Sequence, residues 1–249
     1  MNDPVLSVIT VVYNNVRDIE RTMLSVLNQT YPHIEYLVID GVSTDGTIEV
    51  IKKYEHLVRV VIEKDKGIYD AMNKGLAMAT GDYVLFMNSG DEIYDATTVE
   101  NVLTTEPGAD IYYGETEMFD ETWKSLGQRR HNAPERLTKA SFRYGMSVSH
   151  QAIYVRRSIA EPYNLQYKLS ADIDWILKAL EKARKVVNTH QYVAKYLVGG
   201  MSKQKHRESL KERFNIFTKH FGLIPNLLNH GVIAVKLLFY FIKHRKTND

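Results

Sequence analysis

Up to residue 115, two hydrophobic patterns alternate along the chain. Short apolar runs rich in β-branched residues, at 6–13, 36–40, 58–62, 83–87 and 109–113, predict buried strands. Between them the apolar positions fall at helical spacing. Val16, Ile19, Met23, Val26 and Leu27 make one stripe, and Ile48, Ile51 and Tyr54 a shorter one. Ile68, Ala71, Met72, Gly75, Leu76 and Ala79 make a third. Strands apolar on both faces and separated by helices form βαβ units, so this half is expected to be an open, mostly parallel α/β sheet with flanking helices.

After Gly114 the pattern loosens. Residues 116–145 carry Trp123, Pro134 and many polar positions, and suggest irregular connections or an antiparallel addition. A helix resumes over 171–183, with Ile173, Ile176, Leu177 and Leu180 on one face. Another is expected over 206–220, carrying Leu210, Phe214 and Phe217. The stretch 223–242 is apolar apart from Asn226, Asn229, His230 and Lys236, and Lys243, His244, Arg245 and Lys246 follow it. An internal lysine makes it marginal for crossing a bilayer. Aromatic residues beside a basic cluster suit a helix lying on an anionic membrane surface, and a last helix packed on the domain is the alternative. The organisation expected is a main domain over 1–205, its ligand-binding part about 1–115 and its remainder about 116–205, with a helical extension over 206–249.

Composition narrows the function classes. Lys and Arg total 32 against 30 Asp and Glu, a net charge of +2, which gives no argument for a nucleic-acid partner. The 249 residues include no cysteine, which excludes disulfides, zinc–thiolate centres and thiol catalysis. The first residues, MNDPVLSV, lack a basic leader, and a cytoplasmic compartment is the expectation.

In open α/β folds ligands bind beyond the carboxyl ends of the parallel strands. Those ends read Tyr13-Asn14-Asn15, then 40–47 as DGVSTDGT, then Glu63 to Gly67, then Asn88-Ser89-Gly90-Asp91. Three of the four deliver acids, and glycines beside them admit a ligand close to the backbone. Acids gathered on one rim repel unless a cation lies between them, and a hard divalent cation completed by phosphate oxygens resolves the conflict. The rim therefore suits a phosphorylated ligand. Asp45 and Ser43 equally suit a helix cap or turn.

With these residues in place, the segments SVITVVYNN (7–15), SVLNQTYPHIEYLVIDGVSTDGT (25–47), EKDKGIYDAMNKGLAMATGDYVLFMNSGD (63–91) and SADIDW (170–175) resemble the family 2 glycosyltransferases. These are inverting, nucleotide-sugar-dependent enzymes of the GT-A fold. The likeness is densest over 5–115, thins to about 205, and is nearest to bacterial members that build O-antigen, capsule or other surface polysaccharides. It implies a nucleoside-diphosphate sugar as donor, UDP-linked in most relatives, and a glycan or lipid-linked saccharide as acceptor. By position it assigns Thr10, Tyr13, Asn14 and Asp40 to the nucleotide, with Asp65, Asn73 and Lys74 flanking it and Asn88 and Ser89 also on the nucleotide sugar. The acidic motif after the fourth strand, Asn88-Ser89-Gly90-Asp91 here, would hold Mn²⁺ or Mg²⁺ on the diphosphate, with Asp91 as its carboxylate.

Two departures stand out. Asn88 and Gly90 occupy positions that are acidic in relatives, which implies modest metal affinity or neutralisation by Lys or Arg instead. Met72 stands where many relatives carry a basic residue, a charge that Lys74 or Lys66 would have to supply. The family's second acidic site corresponds to Asp172 in ADIDW, and the resemblance makes Asp172 the general base. Asp172 and Asp174 are two apart on a helix, so they diverge and only one can face the sugar. Both also suit a helix N-terminus. His150, in MSVSHQAIYVRR, is a candidate acceptor or phosphate contact, and Arg156 and Arg157 are candidate phosphate contacts or a solvated face. Residues 199–202 resemble a loop that closes over the donor. A nucleotidyltransferase is the competing enzyme class, though no basic glycine-rich loop follows the first strand. A non-catalytic module that binds nucleotide sugars is the other reading, and the weakened 88–91 motif keeps it open. No G-x-G-x-x-G supports a dinucleotide enzyme.

Overall fold

The computed structural model describes residues 3–129, 132–199 and 205–245. The amino-terminal half runs β1 (Leu6–Val12), α1 (Ile19–Leu27), β2 (Ile34–Asp40), α2 (Thr47–Lys52), β3 (Arg59–Ile62), α3 (Ile68–Met78) and β4 (Tyr83–Phe86). All three βαβ units expected from the periodicity are present. β1 pairs in parallel with β2 on one side and β4 on the other, and β2 pairs in parallel with β3. All seven residues of β1 are buried, as a central strand covered on both faces requires. α3 lies against this sheet so closely that a Cβ on Gly75 would come within 2.4 Å of Ile9 Cγ2. Val16 departs from its stripe: α1 begins at Ile19, and Val16 is exposed in the connecting turn.

Beyond β4 the sheet becomes mixed. The chain continues through β5 (Glu92–Ile93), α4 (Thr98–Thr105), β6 (Ile111–Phe119), β7 (Ser125–Gln128), β8 (Ile153–Arg156), α5 (Ala171–Lys182) and β9 (Val186–Leu197). Strand order is β3-β2-β1-β4-β8-β6-β9-β5, with β7 on β6. β8 inserts antiparallel between β4 and β6, so the fifth apolar run does not lie beside the fourth. β6 runs straight through Gly114 to Phe119. A Cβ at Gly114 would meet Gln191 O at 2.5 Å, so the glycine is what allows β9 to approach there. β7 is the antiparallel addition suggested for residues 116–145.

α6 (His206–Phe221) buries Ile216 and Phe217 in the common core, and Glu212 accepts the backbone N–H groups of Lys168 and Leu169 ahead of α5. α7 (Leu223–Arg245) follows after Gly222, whose φ of +87° makes the sharp corner. Among the described residues no helix is long and apolar enough to cross a membrane.

Candidate active site

The parallel registers bring Val12, Asp40 and Ile62 to one rim, β4 ends opposite Ile9, and the chain after it reaches the same rim at Ser89, whose N–H donates to Val11 O. Asn14, at φ 49°, turns the chain after β1; Ser43 Oγ accepts its N–H, and its own side-chain oxygen accepts the Thr44 N–H. Asn14 thus braces the loop after β1 against the loop after β2. Tyr13 beside it is 63% exposed, an aromatic face open to stacking. The Tyr13 ring and the Asp65 carboxylate both close over Gly41: a Cβ there would meet Asp65 Oδ2 at 2.6 Å and Tyr13 Cδ2 at 3.3 Å. Asp40 is fully buried; Oδ1 accepts the Ser43 N–H at 2.7 Å, while Oδ2 has no partner among the described residues. An unpaired buried carboxylate oxygen is costly, and it is an acceptor held ready for a ligand N–H or O–H.

Three residues assigned to the nucleotide are occupied elsewhere. Thr10 is interior to β1 and fully buried; its hydroxyl donates to Met87 O and meets Tyr36 OH, so it does not reach the rim. The Asn73 amide clasps the backbone of Tyr163, accepting its N–H at 2.7 Å and donating to its carbonyl at 3.0 Å. Lys74 Nζ donates to Lys64 O and pairs with Glu63, which steadies the 63–67 segment that presents Asp65. Met72 is buried in the core. Arg156 and Arg157 are structural too, bonded to Asp110, Tyr83 and backbone carbonyls. Of the 199–202 loop only Gly199 lies within the described residues.

The turn after β4 is held from several sides. Thr22, buried on α1, accepts the Gly90 N–H and donates to Asp91 O. Asn15 donates to Ser89 Oγ. Asp91 itself is buried: Gln151 Nε2 donates to Oδ2 at 2.6 Å and the Leu197 N–H to Oδ1 at 3.1 Å. Burial pushes its carboxyl up to about 6, against the pull of those two donors. Ser149 Oγ donates to Gln151 Oε1, which orients the Gln151 amide.

One residue earlier, His150 turns the other way. The Asn88 amide nitrogen meets its Nε2 at 3.0 Å, and Nδ1 lies 3.4 Å from Asp172 Oδ2, placed for an Nδ1–H to face that carboxylate. Tyr69 OH donates to Asp172 Oδ1 at 3.2 Å. Burial would raise the Asp172 carboxyl, but His150, Arg213 and the Ile173 N–H together hold it below the ordinary range. Asp172 is therefore an ionised carboxylate at neutral pH, at the first turn of α5. Asp174 faces the opposite way, buried among His220, Lys219 and Lys178, and ties α5 to α6. The divergence expected from helix geometry is what the structure contains.

The 149–151 turn grips both carboxylates, Gln151 on Asp91 and His150 on Asp172. Neither Gln151 nor Tyr69 stands in a motif that marks it as functional in the sequence. The adjacent HQ pair was the available signal for Gln151. Two arginines are close enough to act on this region: Arg129 and Arg213 each keep a buried N–H without a partner among the described residues. Among the described residues no group of three or more His, Asp or Glu side chains forms a self-contained metal centre. The donor set suits instead a cation that takes most of its ligands from a phosphorylated substrate: Asp91, plus Asn88 Oδ1, which is buried and has no partner among the described residues.

Comparison with known proteins bears on the family and the fold. The sequence model of glycosyl transferase family 2 matches residues 7–162. A PGL/p-HBAD biosynthesis glycosyltransferase of Mycobacterium bovis is 32% identical over 215 residues, covering 81% of this chain and 80% of that protein. Among solved structures, S. aureus TarS in complex with UDP-GlcNAc superposes with a TM-score of 0.68 at 20% identity, covering 91% of this chain and 72% of that one. The mannosyltransferase PcManGT of Pyrobaculum calidifontis, in complex with GDP-Man and Mn²⁺, gives 0.64 at 16% identity, covering 94% and 76%. At such identities the structural likeness establishes the fold, the GT-A α/β sheet expected from the sequence.

Proposed function

The chain belongs to glycosyl transferase family 2, and on that premise we propose that it transfers a sugar, with inversion, from a nucleoside-diphosphate sugar to a hydroxyl of a glycan or lipid-linked saccharide in surface-polysaccharide synthesis. UDP is the nucleotide favoured, by the UDP-GlcNAc complex of TarS, and the cytoplasm the compartment. The observation that carries the reading is Asp172: a partly buried carboxylate kept ionised, and aimed by His150 and Tyr69, at the rim where the donor strands end.

In this reading the nucleotide lies across Tyr13, Gly41 and Asp65, with its base on the exposed Tyr13 ring and a donor group on the free Asp40 oxygen. Asp91 with Asn88 would hold Mn²⁺ or Mg²⁺, and the cation, when bound, offsets the negative charge on the diphosphate. Arg129 and Arg213 carry N–H groups free for the same anion. The acceptor hydroxyl attacks the anomeric carbon as the bond from that carbon to the diphosphate oxygen breaks. Asp172 takes the hydroxyl proton, the electron pair of the broken bond leaves with the diphosphate, and the anomeric centre inverts. His150 acts by positioning, since its Nδ1–H holds Asp172 in the deprotonated, fixed rotamer that proton transfer needs.

The test is Asp172→Asn, which keeps volume and the Tyr69 contact. Loss of a general base lowers kcat by roughly 10²–10⁴-fold. Nucleotide affinity in the same variant, measured by calorimetry with UDP and Mn²⁺, should stay at the wild-type value. Wild-type turnover in that variant would remove Asp172 from the chemistry. A wild-type protein that binds nucleotide sugars but transfers no sugar would leave only the binding-module reading.

A further inference from the structure

α7 is amphipathic in the inverted sense. Its polar residues face the protein: Asn226 is fully buried and donates to Phe214 O and Thr218 Oγ1 on α6, and the His230 ring packs edge-on against Phe214. Over residues 223–235 most of its apolar residues face away. Leu223, Ile224, Leu227, Leu228, Val232 and Val235 are all exposed, Ile224 to 72% and Leu228 to 68%. They recur at three- and four-residue spacing, so they form one continuous outward stripe. A helix that turns amides inward and leucines outward is unfavourable against water, and a patch of this kind marks an interaction surface.

The occupant follows from charge. Residues 223–246 include no Asp or Glu, while Lys236, Lys243, Arg245 and Lys246 are all cationic, and Phe239-Tyr240-Phe241 lie just before the basic cluster. A second copy of the chain paired on this face would bring no acid of its own segment to neutralise those cations. An anionic lipid surface offers both what the stripe and what the cations require: an apolar boundary and a negative headgroup layer. We propose that the outward face of α7 docks the protein on an anionic bilayer, with the helix in the interface plane. The anchoring is rigid with respect to the active site, because α7 is bonded to α6, and α6 is bonded to α5 through Asp174 below the turn that carries Asp172. The surface stands apart from the transferase reading, since none of its residues touches the rim.

The experiment is flotation of the full chain with vesicles of phosphatidylcholine, with and without phosphatidylglycerol. The wild type should float with the anionic vesicles and much less with the neutral ones, and added salt should weaken the binding. Ile224→Asn with Leu228→Asn replaces two exposed side chains, so the fold and its Tm should be retained while the bound fraction falls by about tenfold or more. Lys243→Glu with Arg245→Glu provides a second variant that changes charge alone, with the same loss expected. Folded wild type that stays at the bottom of the gradient overturns the proposal, as does flotation indifferent to both variants. Light scattering that finds a dimer split by Ile224→Asn and Leu228→Asn, without vesicle binding, assigns the face to a second copy instead. Asp172→Asn should float like the wild type, so failure of the transferase reading leaves this result standing, and the reverse holds too.

Discussion

Asp91 should make the unliganded protein less stable than it could be, and replacing it with Asn tests this. The carboxyl is pushed from 3.8 up to about 6 in the fold, chiefly by burial. At 1.36 kcal/mol per pH unit that displacement corresponds to ~3 kcal/mol of native-state destabilisation once both states are ionised. The sign follows from an acid whose folded pKa is raised. Below the unfolded value both states hold the proton and nothing is lost. As pH rises through about 4 to 6 the unfolded state ionises first, and the cost grows until the folded carboxyl ionises as well. Asn at 91 can keep every bond. Its oxygen accepts the Leu197 N–H, and a flip of the Gln151 amide turns Oε1 toward the new NH₂ while Ser149 Oγ accepts from Nε2. Asp91→Asn should therefore match wild type near pH 4 and exceed it by ~3 kcal/mol at pH 8, a Tm gain of about 6–12 °C for a chain of this size. Thermal melts of both proteins from pH 4 to 8 with chelator present provide the measurement, and groups common to both cancel in the difference. The same variant should lose turnover. A variant no more stable than wild type at pH 8, or a difference that does not grow with pH, refutes the reasoning.

Three further outcomes are expected. His150→Leu removes the donor that holds Asp172 below the ordinary carboxylate range, so the acidic limb of the kcat profile should move to higher pH; an unmoved limb with lower kcat would make His150 purely structural. Gly41→Ala places a methyl 2.6 Å from Asp65 Oδ2, an exposed-loop side chain able to give way, so nucleotide affinity should fall by about tenfold, the worth of one displaced polar contact, while Tm holds. Asp174→Ala strands the Lys178, Lys219 and His220 donors and should cost about 3–5 kcal/mol by urea denaturation at pH 7. Because those partners hold the Asp174 carboxyl well below its usual range, that stability is complete above the unfolded pKa and should vanish as pH falls through the folded one.

Periodicity by itself determined much of this protein. The first four strands and the three helices between them were legible, because strands covered on both faces and helices covered on one leave distinct local patterns. So was the rim, since the residue after a strand is set by where the strand stops. Asp172 and Asp174 separated as a two-residue step on a helix demands. Tertiary structure decided the rest. The long β9, with burial that fails to alternate and His190 at φ 54°, was weakly marked, and so was α4, where Val99, Val102 and Leu103 make little more than one turn of helical spacing among β-branched residues. Thr10 belonged to the rim by motif but to the core by pleat. Gln151 reached Asp91 across 60 positions of sequence, and His150 reached Asp172 from a turn whose direction is set by β8. Local pattern records which side of an element is apolar, because burial acts on each residue where it stands. It does not record which distant donor meets a buried carboxylate, because that pairing exists only once the sheet has brought the two turns together.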